Sequence, residues 1–170
     1  MSYKILIVDD ELANLRTLAR LFREDYEVLT AASGDEALVL LGRHDVALLI
    51  TDQRMPGMTG IELLKKTVPL RPRMVRIILT GYTDVDALVE AINCGQVYRY
   101  VAKPWNNDEL RLTVKRALEH FESHKQTNEL ESANARLISR LGEIHQLATL
   151  TDARGPIPQS VDAMEASLVS

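Results

Sequence analysis

Short apolar runs of strand length alternate with stretches of helical periodicity over roughly the first 120 residues, and this alternation limits the fold more than any other feature of the chain. Lys4 to Val8 reads as a buried strand, and Glu11 to Arg23 sets Leu12, Leu15, Leu18, Ala19 and Phe22 at the spacing of one helix face. The pattern recurs as strand Glu27 to Ala31, helix Asp35 to Leu41, strand Val46 to Asp52, helix Ile61 to Lys66 and strand Arg76 to Thr80. It ends with helix Asp84 to Asn93, strand Tyr98 to Ala102 and a long helix from about Asn107. Strands rich in Val, Ile and Leu on both faces belong to parallel sheets covered by helices on each side. The alternation therefore predicts an α/β chain with a doubly wound, five-stranded parallel sheet.

In open parallel sheets, functional groups collect at the carboxyl ends of the strands, where the strand order reverses. Here the first strand ends in Asp9-Asp10, the third in Asp52 and the fourth in Thr80-Gly81, and Lys103-Pro104 follows the fifth. Carboxylates gathered in one place raise each other's pKa and destabilise the fold unless a cation joins them. Hard oxygen ligands of this kind suit Mg²⁺. An aspartate beside such an ion can act as a nucleophile towards a phosphoryl group, with Lys103 and the Thr80 hydroxyl stabilising the oxygens. Singly, each motif has a plainer reading. Asp10 before Glu11 suits a helix cap, Asp52 and Met55-Pro56-Gly57 suit a turn, and Lys103-Pro104 says only that the chain bends. Their arrival at successive strand ends is what argues for a site.

Together these residues resemble the receiver domains of two-component response regulators. The resemblance spans about residues 3 to 122. It rests on Ile7-Val8-Asp9-Asp10-Glu11, on Thr51-Asp52 with Met55-Pro56-Gly57-Met58-Thr59-Gly60, on Leu79-Thr80-Gly81 and on Tyr100-Val101-Ala102-Lys103-Pro104. It implies a flavodoxin-like fold in which Asp52 accepts a phosphoryl group from a sensor histidine kinase or phosphotransfer protein. Asp9, Asp10 and Asp52, with the backbone carbonyl of Arg54, would hold Mg²⁺. Thr80 would be the switch hydroxyl, Tyr100 the aromatic that follows it, and Lys103 the ammonium of the site. Gln53-Arg54, Gly81-Tyr82-Thr83-Asp84, Tyr98-Arg99-Tyr100 and Trp105 resemble a subgroup often joined to cyclic-di-GMP phosphodiesterase or transcriptional output domains. Gln53, Arg54 and Tyr82 are expected to set the lifetime of the phosphorylated state. The face made by the fourth helix, fifth strand and fifth helix is a common dimerisation surface in that family.

The chain continues past this region. Leu110, Val114, Ala117, Leu118 and Phe121 form an apolar stripe suited to packing on the sheet, and the stripe lapses through Ser123-His124-Lys125-Gln126-Thr127. A second stripe follows as Leu130, Asn134, Leu137, Leu141, Ile144 and Ala148, in steps of four and three. That is coiled-coil spacing with a polar residue in the seam, a device that favours a fixed register and two strands. The expected organisation is a receiver domain at 1–122, a helical, coiled-coil extension at 123–151 that makes a parallel homodimer, and a linker and tail at 152–170. An extension folded back on the receiver is the other arrangement the stripe allows, and Gly142 weakens helix propensity there. The tail, with Arg154-Gly155-Pro156-Ile157-Pro158 at its start, reads as a docking peptide or flexible end.

Composition narrows the function classes. A net charge of −4 in 170 residues, without a basic stripe, argues against nucleic-acid binding by this portion. The single cysteine, Cys94, cannot close an internal disulfide, and no apolar run reaches the roughly 20 residues a membrane helix needs. A cytoplasmic setting without a membrane role is expected. The histidines at 44, 120, 124 and 145 read as scattered over polar helix faces, without a zinc-binding spacing. The chain is expected to be no enzyme beyond its own phosphorylation and dephosphorylation. Two other classes compete. An aspartate-nucleophile phosphatase of the haloacid-dehalogenase type wants Asp-x-Asp, which Asp52-Gln53-Arg54 lacks, and an unphosphorylated dimeric scaffold, a pseudo-receiver, has no need of the full site.

Overall fold

The computed structural model describes residues 2–81, Val89, 91–93 and 96–152, with the backbone alone for 148–152. Most of the helix expected at Asp84 to Asn93, together with Tyr82, Cys94 and the tail beyond Asp152, lies outside the described residues. The chain divides into two compact units, Met1–Gln126 and Thr127–Ser170.

In the first unit, strands β1 (Lys4–Val8), β2 (Glu27–Ala31), β3 (Leu48–Asp52), β4 (Val75–Thr80) and β5 (Arg99–Ala102) form one five-stranded sheet in the order β2-β1-β3-β4-β5. Every neighbouring pair is parallel. Side chains alternate across such a sheet, so each central strand feeds two cores. Leu6, Val8, Leu49 and Ile78 pack with Ala37 and Leu41 of α2 (Gly34–Arg43) and with Leu63 and Leu64 of α3 (Gly60–Leu70). Ile5, Ile7, Leu48, Ile50, Ile77 and Leu79 pack on the other face with Leu15, Leu18 and Phe22 of α1 (Leu12–Phe22). Leu110, Val114, Ala117 and Leu118 of the long helix Asn107–Asp152 join them there. The sheet order places the reversal between β1 and β3, so the loops after those two strands face one crevice.

Helix lengths depart from the sequence pattern where capping groups come from distant residues. Helix α2 begins one residue before Asp35 because the Ser33 hydroxyl accepts the Glu36 amide at 3.2 Å. It runs past Leu41, and the Arg71 guanidinium donates to the carbonyls of Leu41 at 2.7 Å and His44 at 3.1 Å. Helix α3 continues beyond Lys66 through Pro69, because a proline in the last turn forfeits a single backbone bond. Its end is held by Arg76 of β4, whose guanidinium donates to the Thr67 carbonyl at 3.0 Å, the Met74 carbonyl at 2.7 Å and the Arg71 carbonyl at 2.5 Å. Burial lowers the pKa of this group to about 10, still far above neutral pH, so it stays a cation and complements the carbonyl end of the helix. In α1, Leu12 is 59% exposed while Leu21 is buried, so the apolar face is rotated from the one expected.

Residues 127–147 of the second unit are helical and, apart from half-buried Asn128, exposed, Leu130, Leu137, Ile138, Leu141, Ile144 and Leu147 included.

Candidate functional site

The loop after β1 and the end of β3 bring two carboxylates into the interior. Asp9 is fully buried and its oxygens are engaged: Oδ1 accepts the Glu11 amide at 2.9 Å, and Oδ2 accepts Asn14 Nδ2 at 3.0 Å. Asp52 is 6% exposed and is the last residue of β3. Lys103 reaches both, with Nζ 2.8 Å from Asp52 Oδ1 and 3.3 Å from Asp9 Oδ2. Its own backbone amide donates to the Thr80 carbonyl at 2.8 Å, which ties the loop after β5 to the end of β4. Asp10 stays exposed, yet one oxygen from each of Asp9, Asp10 and Asp52 lies within 4.8 Å of the others.

The loop after Asp52 is built to hold this arrangement. Gly57 takes φ +80°, a left-handed conformation glycine adopts without cost, and so turns the chain after Pro56. Gly60 brings the start of α3 against the Asp52 carbonyl so closely that a Cβ there would overlap it. Thr59 and Glu62 close a capping box: the hydroxyl accepts the Glu62 amide at 3.2 Å, and the carboxylate accepts the Thr59 amide at 2.9 Å. Gln53 is buried and its Oε1 accepts the Ile61 amide at 3.0 Å, while its own amide donates to the Leu79 carbonyl. Gln53 therefore fastens α3 to the strand end. The sequence pattern assigns it no such anchoring role. Arg54 is exposed in the same loop.

The electrostatics follow from this partial burial. Removal from water raises the Asp52 pKa and the Asp9 charge adds to that, while the hydrogen bond and charge of Lys103 pull the other way. For Lys103, burial lowers the pKa, but the hydrogen bond to Asp52 and the charges of Asp52 and Asp9 outweigh it and the net shift is upward. The ammonium keeps its proton beside a carboxylate that one cation does not fully compensate. Such a cluster has room, electrostatically, for a second cation.

Thr80, the final residue of β4, is buried and its hydroxyl donates to the Gly81 carbonyl at 2.8 Å. Tyr100 sits in edge strand β5, in register with Ile78, and is 52% exposed. Asp9, Asp10, Asp52 and Lys103 thus form one cluster, with Thr80 at the adjoining strand end and Tyr100 turned outward. Asn14, which orients Asp9, escaped the sequence reading. A partly buried amide on α1, five residues after the aspartate, is the signal that could have marked it.

The family described as the response regulator receiver domain matches residues 5–115. The chain belongs to the receiver domain family. Its relatives include the hydrogenase transcriptional regulatory protein HoxA of Cupriavidus necator, 44% identical over 115 residues, which cover 68% of this chain and 24% of that protein. Sporulation initiation phosphotransferase F of Bacillus subtilis is 36% identical over 119 residues, covering 69% of this chain and 95% of that protein. A solved signal receiver domain of an HD domain-containing protein from Pseudomonas fluorescens Pf-5 superimposes with a TM-score of 0.69 at 37% identity, covering 72% of this chain and 99% of that one. The receiver chain spans 24% and 32% of the length of the two HoxA proteins it matches, from Cupriavidus necator and Bradyrhizobium diazoefficiens. No helix among its described residues is long and apolar enough to cross a membrane.

Proposed function

We propose that this receiver takes a phosphoryl group on Asp52 from a phosphohistidine of a sensor kinase or phosphotransfer protein, and that the modified domain alters its pairing with a second copy. The observation that carries the reading is the Asp52 carboxylate held 2.8 Å from Lys103 Nζ within a cluster of three aspartates. In the transfer, an Asp52 oxygen attacks phosphorus, the bond from phosphorus to the histidine nitrogen breaks, and the imidazole leaves with its electron pair. Lys103 is positioned to neutralise charge on the transferred oxygens.

The donor set of Asp9, Asp10 and Asp52, all hard oxygens, fits Mg²⁺, with the Arg54 carbonyl and water as further ligands. When bound, that ion would supply Lewis-acid stabilisation of the phosphoryl oxygens. Asn14 and the Glu11 amide keep Asp9 oriented throughout.

Once phosphorylated, Asp52 exchanges its single carboxylate charge for a phosphoryl group of about −1.5 to −2, a net gain of up to about one negative charge, and it gains new acceptor oxygens. The Thr80 hydroxyl, now donating to the Gly81 carbonyl, then has a stronger acceptor, and Tyr100 can follow it inward from its exposed position. Arg54 and Tyr82 remain the residues we assign to the lifetime of the acyl phosphate. The output is pairing through residues of about 125 to 150, a parallel two-stranded coiled coil with Asn134 facing its counterpart. Exposure of Leu130, Leu137, Leu141 and Ile144 supports this. The setting is cytoplasmic, and the transcriptional role printed for HoxA points to an output of that kind.

Incubation with Mg²⁺ and a small acyl-phosphate donor, followed by intact mass, tests the reading. The parent chain gains one phosphoryl group and Asp52→Asn gains none; continuous turnover of the donor, or no gain by the parent, rejects it. Sedimentation of the full chain against one ending near Phe121 tests the dimer. Two monomers at micromolar concentration would exclude it.

A further inference from the structure

His120 and His124 lie one turn apart on the long helix, within the first compact unit, and their rings meet edge to face with centroids 4.3 Å apart. Both residues are exposed. They continue a helix stripe whose earlier members, Thr113 and Ala117, are buried. The Tyr98 ring lies against His120 at a tilt of 38°, with ring centroids 5.1 Å apart. Its own backbone amide donates to the Arg76 carbonyl at 2.8 Å, so the ring that backs His120 is tied to the sheet. The histidines that look scattered in the sequence are, at this point, a pair.

From this geometry we infer that His120 and His124 form a chelating site for a divalent first-row transition metal of the Zn²⁺, Cu²⁺ or Ni²⁺ class, separate from the aspartate cluster. Imidazole nitrogens sit about 2.0–2.1 Å from such an ion, so two of them sharing it lie no more than about 4.2 Å apart. Rings already in contact on adjacent turns meet that requirement by small side-chain rotations. Histidines spaced i, i+4 present their nitrogens to one face of a helix, an arrangement used by helical zinc sites. Nitrogen ligands select borderline metals over Mg²⁺, so the two sites should sort ions by chemistry. Glu122, between the histidines in sequence, is hydrogen-bonded to the Tyr3 hydroxyl at 2.5 Å and so is engaged elsewhere. Water would complete the coordination. Bound there, the ion would clamp one turn of the helix near the end of the stripe that packs on the sheet.

Titration of the full chain with Zn²⁺ in buffer saturated with Mg²⁺, followed by calorimetry and by NMR of the histidine ring protons, tests the site. The expected result is one Zn²⁺ per chain with the ring signals of His120 and His124 shifting together. His120→Gln or His124→Gln should weaken binding about tenfold or more, a loss typical of disturbed metal sites, and the double variant should abolish it. Circular dichroism of the double variant without Zn²⁺, unchanged from the parent, would show that the fold is intact. No Zn²⁺ uptake by the parent overturns the inference. So does affinity retained in the folded double variant, since the ion would then sit on the aspartates or Cys94.

Discussion

The strand-end rim of the receiver and the helical segment from Leu130 to Leu147 break the usual division of residues in opposite ways. At the rim, Asp9 and Asp52 are charged groups almost removed from water. Along the segment, Leu130, Leu137, Ile138, Leu141, Ile144 and Leu147 are apolar and at least 58% exposed. Buried charge persists because each carboxylate has partners: Lys103 for both, and Asn14 and a backbone amide for Asp9. Exposed apolar surface of this regularity forms a large patch, and patches of that sort mark interaction surfaces. The difference teaches that, on the proposed reading, the rim awaits an ion and a phosphoryl group, while the segment awaits a second copy of itself.

The sharpest way to break the rim is to remove its one ammonium. Lys103→Met leaves two buried carboxylates facing each other, and breaking a buried pair in this way costs about 3 kcal/mol. Chemical denaturation in the presence of a chelator should read that loss. Added Mg²⁺ should restore part of it in the variant by a larger increment than in the parent, because the ion then supplies the missing cation. Equal increments in the two proteins would mean that the cluster does not hold the metal.

The segment breaks differently. Leu137→Asp together with Leu141→Asp puts like charges into the proposed seam and removes apolar burial worth about 1.5–3 kcal/mol per leucine. Sedimentation equilibrium should show the dimer weakened more than about 100-fold, while the melting of the receiver unit stays put. A fall in receiver stability instead would point to the folded-back arrangement.

How much of this could be read from the sequence follows the range of the interactions involved. β1 and β2 begin and end at the residues the apolar pattern picks out, since a fully or partly buried strand is bounded by its own side chains. Asp9, Asp10, Asp52 and Lys103 also come together as the strand ends imply, because sheet topology alone brings those ends to one edge. What escaped depends on contacts between residues far apart. The length of α2 rests partly on Arg71, that of α3 on Arg76, and the burial of Gln53 on an amide eight residues away. The pairing of His120 with His124 was available from their spacing, yet it takes the Tyr98 ring beneath to set it apart from a solvated face.

A milder test of the rim uses pH. Burial, aided by the Asp9 charge, raises the Asp52 pKa in the folded protein. A raised carboxylate takes up its proton as pH falls through a value above the ordinary aspartate range. Mg²⁺ affinity, which needs the ionised form, should therefore be full above that raised value and lost as pH drops through it, earlier than an unperturbed aspartate would lose it. Stability without metal runs the opposite way: ionising Asp52 costs the folded state, so its contribution is present at low pH and is lost as pH rises through the folded pKa. Titrating Mg²⁺ affinity against pH checks the direction, and a midpoint at or below the usual aspartate value would contradict it.

The smallest expected effect separates orientation from charge. Asn14→Ala removes a neutral donor from Asp9 Oδ2, leaving Lys103 at 3.3 Å and the Glu11 amide at 2.9 Å. Loss of one such hydrogen bond to a charged group costs about 1.5 kcal/mol. Because no charge changes, the pH midpoint for Mg²⁺ should shift little, while the affinity itself falls several-fold as Asp9 gains rotational freedom. Lys103→Met should do the reverse in kind, altering the electrostatic balance that sets the midpoint. If the two variants changed affinity and midpoint in the same proportions, Asn14 would be acting through the charge of the cluster rather than through the position of Asp9.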